Sequence, residues 1–143
     1  MKLNTIILLS TVLLLLNQCA SHRELDDFEL VKNQIPTIEL EVRYFGNHNF
    51  TGRPVVGYEQ SVIYLTKQTI SALQKVQEEL KLQGLGLKIF DGFRPQMAVD
   101  SFEVWAKDVN DTIAKQEFYP EVDKRDLFTL GYIASRSGHS RGS

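Results

Sequence analysis

The sequence predicts an α+β domain in which a small antiparallel sheet is flanked by helices. Three observations carry this. Ile38-Glu39-Leu40-Glu41-Val42-Arg43-Tyr44 alternates apolar and polar residues, the period of a half-buried strand. Residues 66–83 place Ile70, Leu73, Val76 and Leu80 on one helical stripe, with Lys75, Glu78, Glu79 and Lys81 elsewhere. Leu85-Gly86-Leu87-Lys88-Ile89-Phe90-Asp91 follows as a short apolar run, the signature of a buried strand. Strands mixed with helices in this way make an α+β domain.

Residues 1–20 form a separate unit. Met1-Lys2-Leu3 is a short positive start, residues 6–16 are almost wholly apolar, and Asn17-Gln18-Cys19-Ala20-Ser21 turns polar. That is the layout of an export signal, too short for a membrane span. The single cysteine, Cys19, stands just after the apolar run, where a bacterial lipoprotein carries its lipid. Gln18 departs from the small residue such sites prefer, and cleavage near Ala20 is the competing reading. The expectation is an exported protein of the periplasm or cell envelope, anchored to the membrane through Cys19. Residues 21–34 are charged (His22, Arg23, Glu24, Asp26, Asp27) and read as a tether.

The body of the chain begins at residue 35. After the 38–44 strand, Asn47-His48-Asn49-Phe50-Thr51-Gly52-Arg53-Pro54 has turn chemistry. Residues 61–65 are a candidate short strand. Thr66 can cap the main helix, and Gly84 and Gly86 stop it. Gly92-Phe93-Arg94-Pro95 turns the chain, and Pro95 suits the first turn of a second helix along which Ala98, Phe102 and Trp105 lie at helical spacing. Residues 108–126 are polar and read as irregular apart from Phe118-Tyr119-Pro120.

Composition narrows the functional classes. The chain has 143 residues, enough for one small domain. Apolar residues make up 43% and charged residues 24%, ordinary for a globular protein. A net charge of −2 gives no cationic excess for nucleic acid. One cysteine permits no disulfide within the chain.

Three short segments carry candidate chemistry. Asp91-Gly92-Phe93-Arg94-Pro95 stands at a strand end. An Asp three residues before an Arg can fix the guanidinium plane, and a fixed Arg can bind a carboxylate or stabilise an oxyanion; alone, the pair reads first as a surface salt bridge at a turn. Tyr44 precedes a Gly/Asn-rich loop and can lend its phenol to a pocket or simply cover the core. Ser137-Gly138-His139-Ser140-Arg141-Gly142-Ser143 holds a histidine that is either a metal ligand or a solvated loop residue. A zinc hydrolase needs three protein ligands, an open position for water, and a base. No H-E-x-x-H or E-x-x-H occurs.

In order and rough spacing, these segments resemble the VanX-type zinc D-alanyl-D-alanine dipeptidases, which carry R-Y…N-F-T-G, then D-x-x-R-P, then S-x-H-S-R-G. The resemblance covers residues 35–143, and S-x-H-S-R-G is its most specific part. It implies a DD-peptidase/hedgehog-like fold, a Zn2+ cofactor, and the D-Ala-D-Ala dipeptide as substrate. It implies that His139 is a zinc ligand, that Arg94 stabilises the oxyanion, that Asp91 holds Arg94, and that Tyr44 and Ser137 line the substrate pocket. The family's Asp ligand would fall three residues after Ser143. Its catalytic Glu and second His ligand belong to a later E-x-x-H segment, and His22 and His48 lie in the wrong places to replace them. The chain is therefore expected to be the N-terminal part of such a domain, incomplete at its C-terminus. Alternatives are a D,D-carboxypeptidase acting on peptidoglycan stems, and a non-catalytic envelope lipoprotein that binds cell-wall peptides.

Overall fold

A computed structural model describes residues 27–142. The signal, Cys19 and the first part of the tether lie outside them. The elements run β1 (Phe28–Leu30), α1 (Val31–Gln34), β2 (Glu39–Leu40), a 3-10 turn (Arg43–Phe45), β3 (Tyr64–Thr66), α2 (Lys67–Lys81), β4 (Lys88–Ile89), α3 (Gln96–Lys107) and α4 (Lys115–Phe118). Two more 3-10 turns follow, Lys124–Asp126 and Gly138–Arg141. Among the described residues, no helix is long and apolar enough to cross a membrane.

The α+β class is as expected, but the sheet is not one antiparallel unit. β1 pairs antiparallel with β3, while β2 pairs parallel with β4. The tether reading fails from Phe28 onward. Phe28 faces Thr66 in the β1–β3 register, and Val31 and Ile35 are buried with Ile38, Val42, Ile63, Leu65 and Ile70. The apolar residues among the charges win, because burying them outweighs solvating their neighbours.

The 38–44 segment keeps its strand for only two residues, then tightens into the Arg43–Phe45 turn. Residues 85–91 are not a buried strand: Leu85 and Phe90 are exposed, and only Lys88 and Ile89 pair. The main helix stands nearly as expected. The Thr66 hydroxyl accepts the Thr69 N–H, a cap worth about 1 kcal/mol. Gly84 at φ +71° ends the segment, a conformation that costs glycine little. α3 buries Ala98, Phe102 and Trp105 as their spacing predicts.

A second core gathers Val55, Ala98, Phe102, Trp105, Ala106, Tyr119, Leu127 and Ile133, with Tyr44, Phe50 and Tyr58 packed against it. Rings of Phe50 and Phe102 lie 4.8 Å apart, and Phe50 and Trp105 5.2 Å apart. Residues 108–127 pack here through Tyr119, Leu127 and Lys124, the last buried with its ammonium 3.7 Å from the Trp105 ring centre. Burial pushes the Lys124 pKa down, while Asp111 and Asp108 pull it back up.

Candidate active site

Two turns bring the candidate residues together. The first turn, residues 91–95, leaves β4 and passes so close to β3 that only glycine fits at position 92. A Cβ there would stand 2.7 Å from the Tyr64 carbonyl oxygen and collide with Ile63. The Phe93 N–H donates to that same carbonyl at 2.8 Å, and Pro95 leads into α3.

The second turn is Gly138–Arg141. Ser137 caps it by accepting the His139 N–H at 3.2 Å. The turns are joined directly, because the Arg94 N–H donates to the His139 carbonyl at 3.1 Å.

Side chains complete the cluster. Both Nε and Nη2 of Arg94 donate to Asp91 Oδ2, at 3.2 and 2.7 Å. The other carboxylate oxygen accepts the Tyr58 hydroxyl at 2.8 Å. Arg94 Nη2 lies 3.5 Å from the Tyr44 hydroxyl, and its guanidinium stands 5.0 Å from the Tyr44 ring centre and 5.4 Å from that of Phe102. Asp91 and Arg94 are largely enclosed, with side chains 11% and 16% exposed, whereas His139 is 48% exposed. The arginine is thus held by charge on one side and aromatic faces on the others.

Electrostatics follow from this packing. Burial works against the Arg94 charge, but Tyr44 and Asp91 outweigh it and hold the pKa above its ordinary value. Burial raises the Tyr44 pKa; Arg94 opposes and Asp91 adds to the shift. Burial, Asp91's charge and the hydrogen bond to Asp91 push Tyr58 far above the usual phenol range. Both phenols stay neutral at physiological pH, available as donors.

His139 Nδ1 is 3.1 Å from the Gly92 carbonyl and 3.5 Å from Asp91 Oδ2. Both neighbours are acceptors, so the neutral ring carries its proton on Nδ1 and keeps the lone pair on Nε2. A histidine that ligates a metal is normally held this way by a carbonyl or carboxylate behind it. The donor chemistry therefore fits one metal ligand. Among the described residues, no group of three His, Cys, Asp or Glu converges to complete a metal site.

The structure brings together Asp91, Arg94, Tyr44, Ser137 and His139. His48 is elsewhere, bridging Glu117 at 2.6 Å and Glu41 at 3.3 Å on the surface. Sequence reading missed two contributors, Tyr58 and Phe102. Tyr58 follows Gly57 in a segment without periodicity, and its bond to Asp91 spans 33 positions. A buried-facing carboxylate with a second oxygen to satisfy was the one clue that a donor had to come from afar. Phe102 shows in the sequence only as one of three residues at helical spacing, with no sign of the arginine it also covers.

Comparison with known proteins gives the family. The sequence profile described as D-ala-D-ala dipeptidase, of the peptidase M15 family, matches residues 24–143. The chain is 40% identical over 116 residues to a D-alanyl-D-alanine dipeptidase of Enterococcus faecalis (81% of this chain, 57% of that protein). It is 41% identical over 117 residues to one of Streptomyces coelicolor (82% of this chain, 58% of that protein). An Escherichia coli protein of the same name is 39% identical over 75 residues, 51% of this chain and 38% of its own length. The chain thus spans a little over half the length of the first two. With the profile covering residues 24–143 and the Asp91–Arg94 and His139 turns tied together within that match, this chain belongs to the M15 family of D-Ala-D-Ala dipeptidases.

Proposed function

We propose that the protein of which these residues are part hydrolyses the D-Ala-D-Ala dipeptide with a zinc ion. The observation that carries this reading is the arginine fixed by Asp91 within a backbone bond of the metal-ready histidine. Zinc, when bound, supplies polarisation of the scissile carbonyl and an activated water. His139 would hold it through Nε2, with further ligands from outside residues 27–142. No residue among those described is assigned as the base.

The chain's own residues contribute positioning and charge. As water attacks, negative charge grows on the carbonyl oxygen. Arg94 faces that change already oriented, so it stabilises the transition state more than the ground state. Asp91 prevents the guanidinium from turning away, and Tyr44 and Phe102 support its faces. Tyr44 and Ser137 provide hydroxyls beside the substrate.

The test is dipeptide hydrolysis by the purified enzyme, with metal content measured in parallel and a peptidoglycan stem peptide as a second substrate. Arg94→Ala should lower kcat roughly 10²–10³-fold with zinc content intact. Arg94→Lys should not fully rescue, since an ammonium lacks the planar fork. Unchanged kcat in Arg94→Ala would leave the pair as a plain salt bridge. Preferential turnover of the stem peptide would replace the dipeptidase reading by a D,D-carboxypeptidase.

Export and a lipid anchor at Cys19 belong to the same proposal, supported by the Lys2 start, the apolar run and the single cysteine after it. Mass spectrometry of the mature N-terminus tests it. An unmodified chain starting at Ser21 or Met1 excludes the anchor.

A further inference from the structure

The two turns that carry Arg94 and His139 converge on one aromatic ring outside the site. Phe28, the first residue of β1, meets the Phe93 ring edge-on, with centroids 4.9 Å apart and planes at 68°. Phe93 lies between Gly92, whose carbonyl faces His139 Nδ1, and Arg94. An edge of the same Phe28 ring fills the space where position 142 would carry a side chain. A Cβ on Gly142 would stand 2.8 Å from Phe28 Cζ and 3.0 Å from Cδ1, and would overlap Cε1.

Gly142 is buried and has φ +67°, so it is glycine for two independent reasons. Its carbonyl accepts the N–H of Thr66, the residue opposite Phe28 in the β1–β3 register, at 3.0 Å. Its own N–H donates to the His139 carbonyl at 2.9 Å, the oxygen that also receives Arg94 N–H.

We infer that Phe28 is a positioning residue for Arg94 and His139. Its ring packs against both the 91–95 turn and the 138–142 turn, and so sets the separation of guanidinium and imidazole. The β1 strand, just after the charged leader region, thereby becomes part of the site's support. The catalytic consequence rests on the dipeptidase reading, whereas the positioning itself does not.

The experiment is amide hydrogen exchange on the protein, read at the Arg94 and Gly142 N–H groups, with the α2 amides of Ile70 and Gln77 as reference. Two variants perturb this packing in opposite ways. Phe28→Leu keeps an apolar side chain for folding but removes the ring edge, and Gly142→Ala pushes against the ring. Each should speed exchange at Arg94 and Gly142 at least about tenfold while α2 stays protected. In the active enzyme each should lower kcat roughly 10- to 100-fold with little change in KM, the size of a small misplacement. The double variant should be milder than the sum, because the shorter side chain makes room for the new Cβ.

Unchanged exchange at Arg94 and Gly142 overturns the inference. So does equal acceleration in α2, which would mean general loosening. Selective loosening in a protein without dipeptidase activity would leave the positioning intact and remove the proposed function instead.

Discussion

Asp91 stands behind His139 as well as beside Arg94: its Oδ2 is 3.5 Å from His139 Nδ1 while accepting two nitrogens of the guanidinium. One oxygen therefore supports both the residue proposed to meet charge and the residue proposed to meet metal. Substitution at position 91 reaches two functions at once, whereas substitution at 94 reaches one.

Asp91→Asn keeps the shape and removes the charge. Kcat should fall and zinc should bind more weakly, each by about 10- to 100-fold, the usual cost of losing an outer partner of a metal ligand. Chelator competition and dipeptide kinetics on the same preparation separate the two effects. If zinc affinity stays at the wild-type level while kcat drops, Asp91 serves Arg94 alone.

Tyr58 makes a pH prediction. Its folded-state pKa is raised, so the folded protein keeps a proton that the unfolded chain releases near pH 10. The native state then binds more protons, and stability falls as pH climbs from about 10 toward the raised value. Below pH 10 this contribution is fully present. Denaturant midpoints measured from pH 8 upward should decline above pH 10, and Tyr58→Phe should flatten part of that decline. Tyr44 and Tyr119, also raised, act in the same direction. An unaltered slope in Tyr58→Phe would show that the phenol titrates alike in both states.

Asn49 should be the most sensitive position of its loop. It is 1% exposed. Its Nδ2 faces the carbonyls of Arg43, Gly46 and Arg53 at 3.1, 2.8 and 2.8 Å, and Oδ1 accepts from the N–H and hydroxyl of Thr51. Asn49→Ala orphans several buried groups and should cost about 3 kcal/mol. Asn49→Asp should be at least as harmful, since a carboxylate would face those carbonyls. Chemical denaturation measures both; an Asp variant as stable as the native protein would mean the amide is not what closes the loop.

The sequence disclosed the helices better than the strands, for a physical reason. α2 and α3 are long enough for a periodic stripe, and Thr66, Gly84 and Pro95 mark their ends. Even so, Val76 on the expected stripe is exposed, while Gln77 is buried because it accepts the Leu87 N–H and donates to Thr37. The strands are two or three residues long, too short for alternation to mean much. Parallel pairing of β2 with β4 depends on a crossover between residues 40 and 88 that leaves no local trace. Within the site, Asp91 and Arg94 were legible because they are three residues apart. Tyr58, Phe28 and Gly142 were not, since each acts across the fold.

Trp105 is the chain's one tryptophan, and its ring is linked to Tyr44 through those of Phe50 and Phe102. Its indole is enclosed, with a lysine ammonium over one face. The molecule consequently carries a built-in optical gauge in a single indole. Emission should be blue-shifted while the ring is shielded and move to longer wavelength when water reaches it. Any ligand that displaces Tyr44 presses on Phe102 and Phe50 before it reaches the indole, so fluorescence can follow events at the arginine without a dye or a labelled substrate.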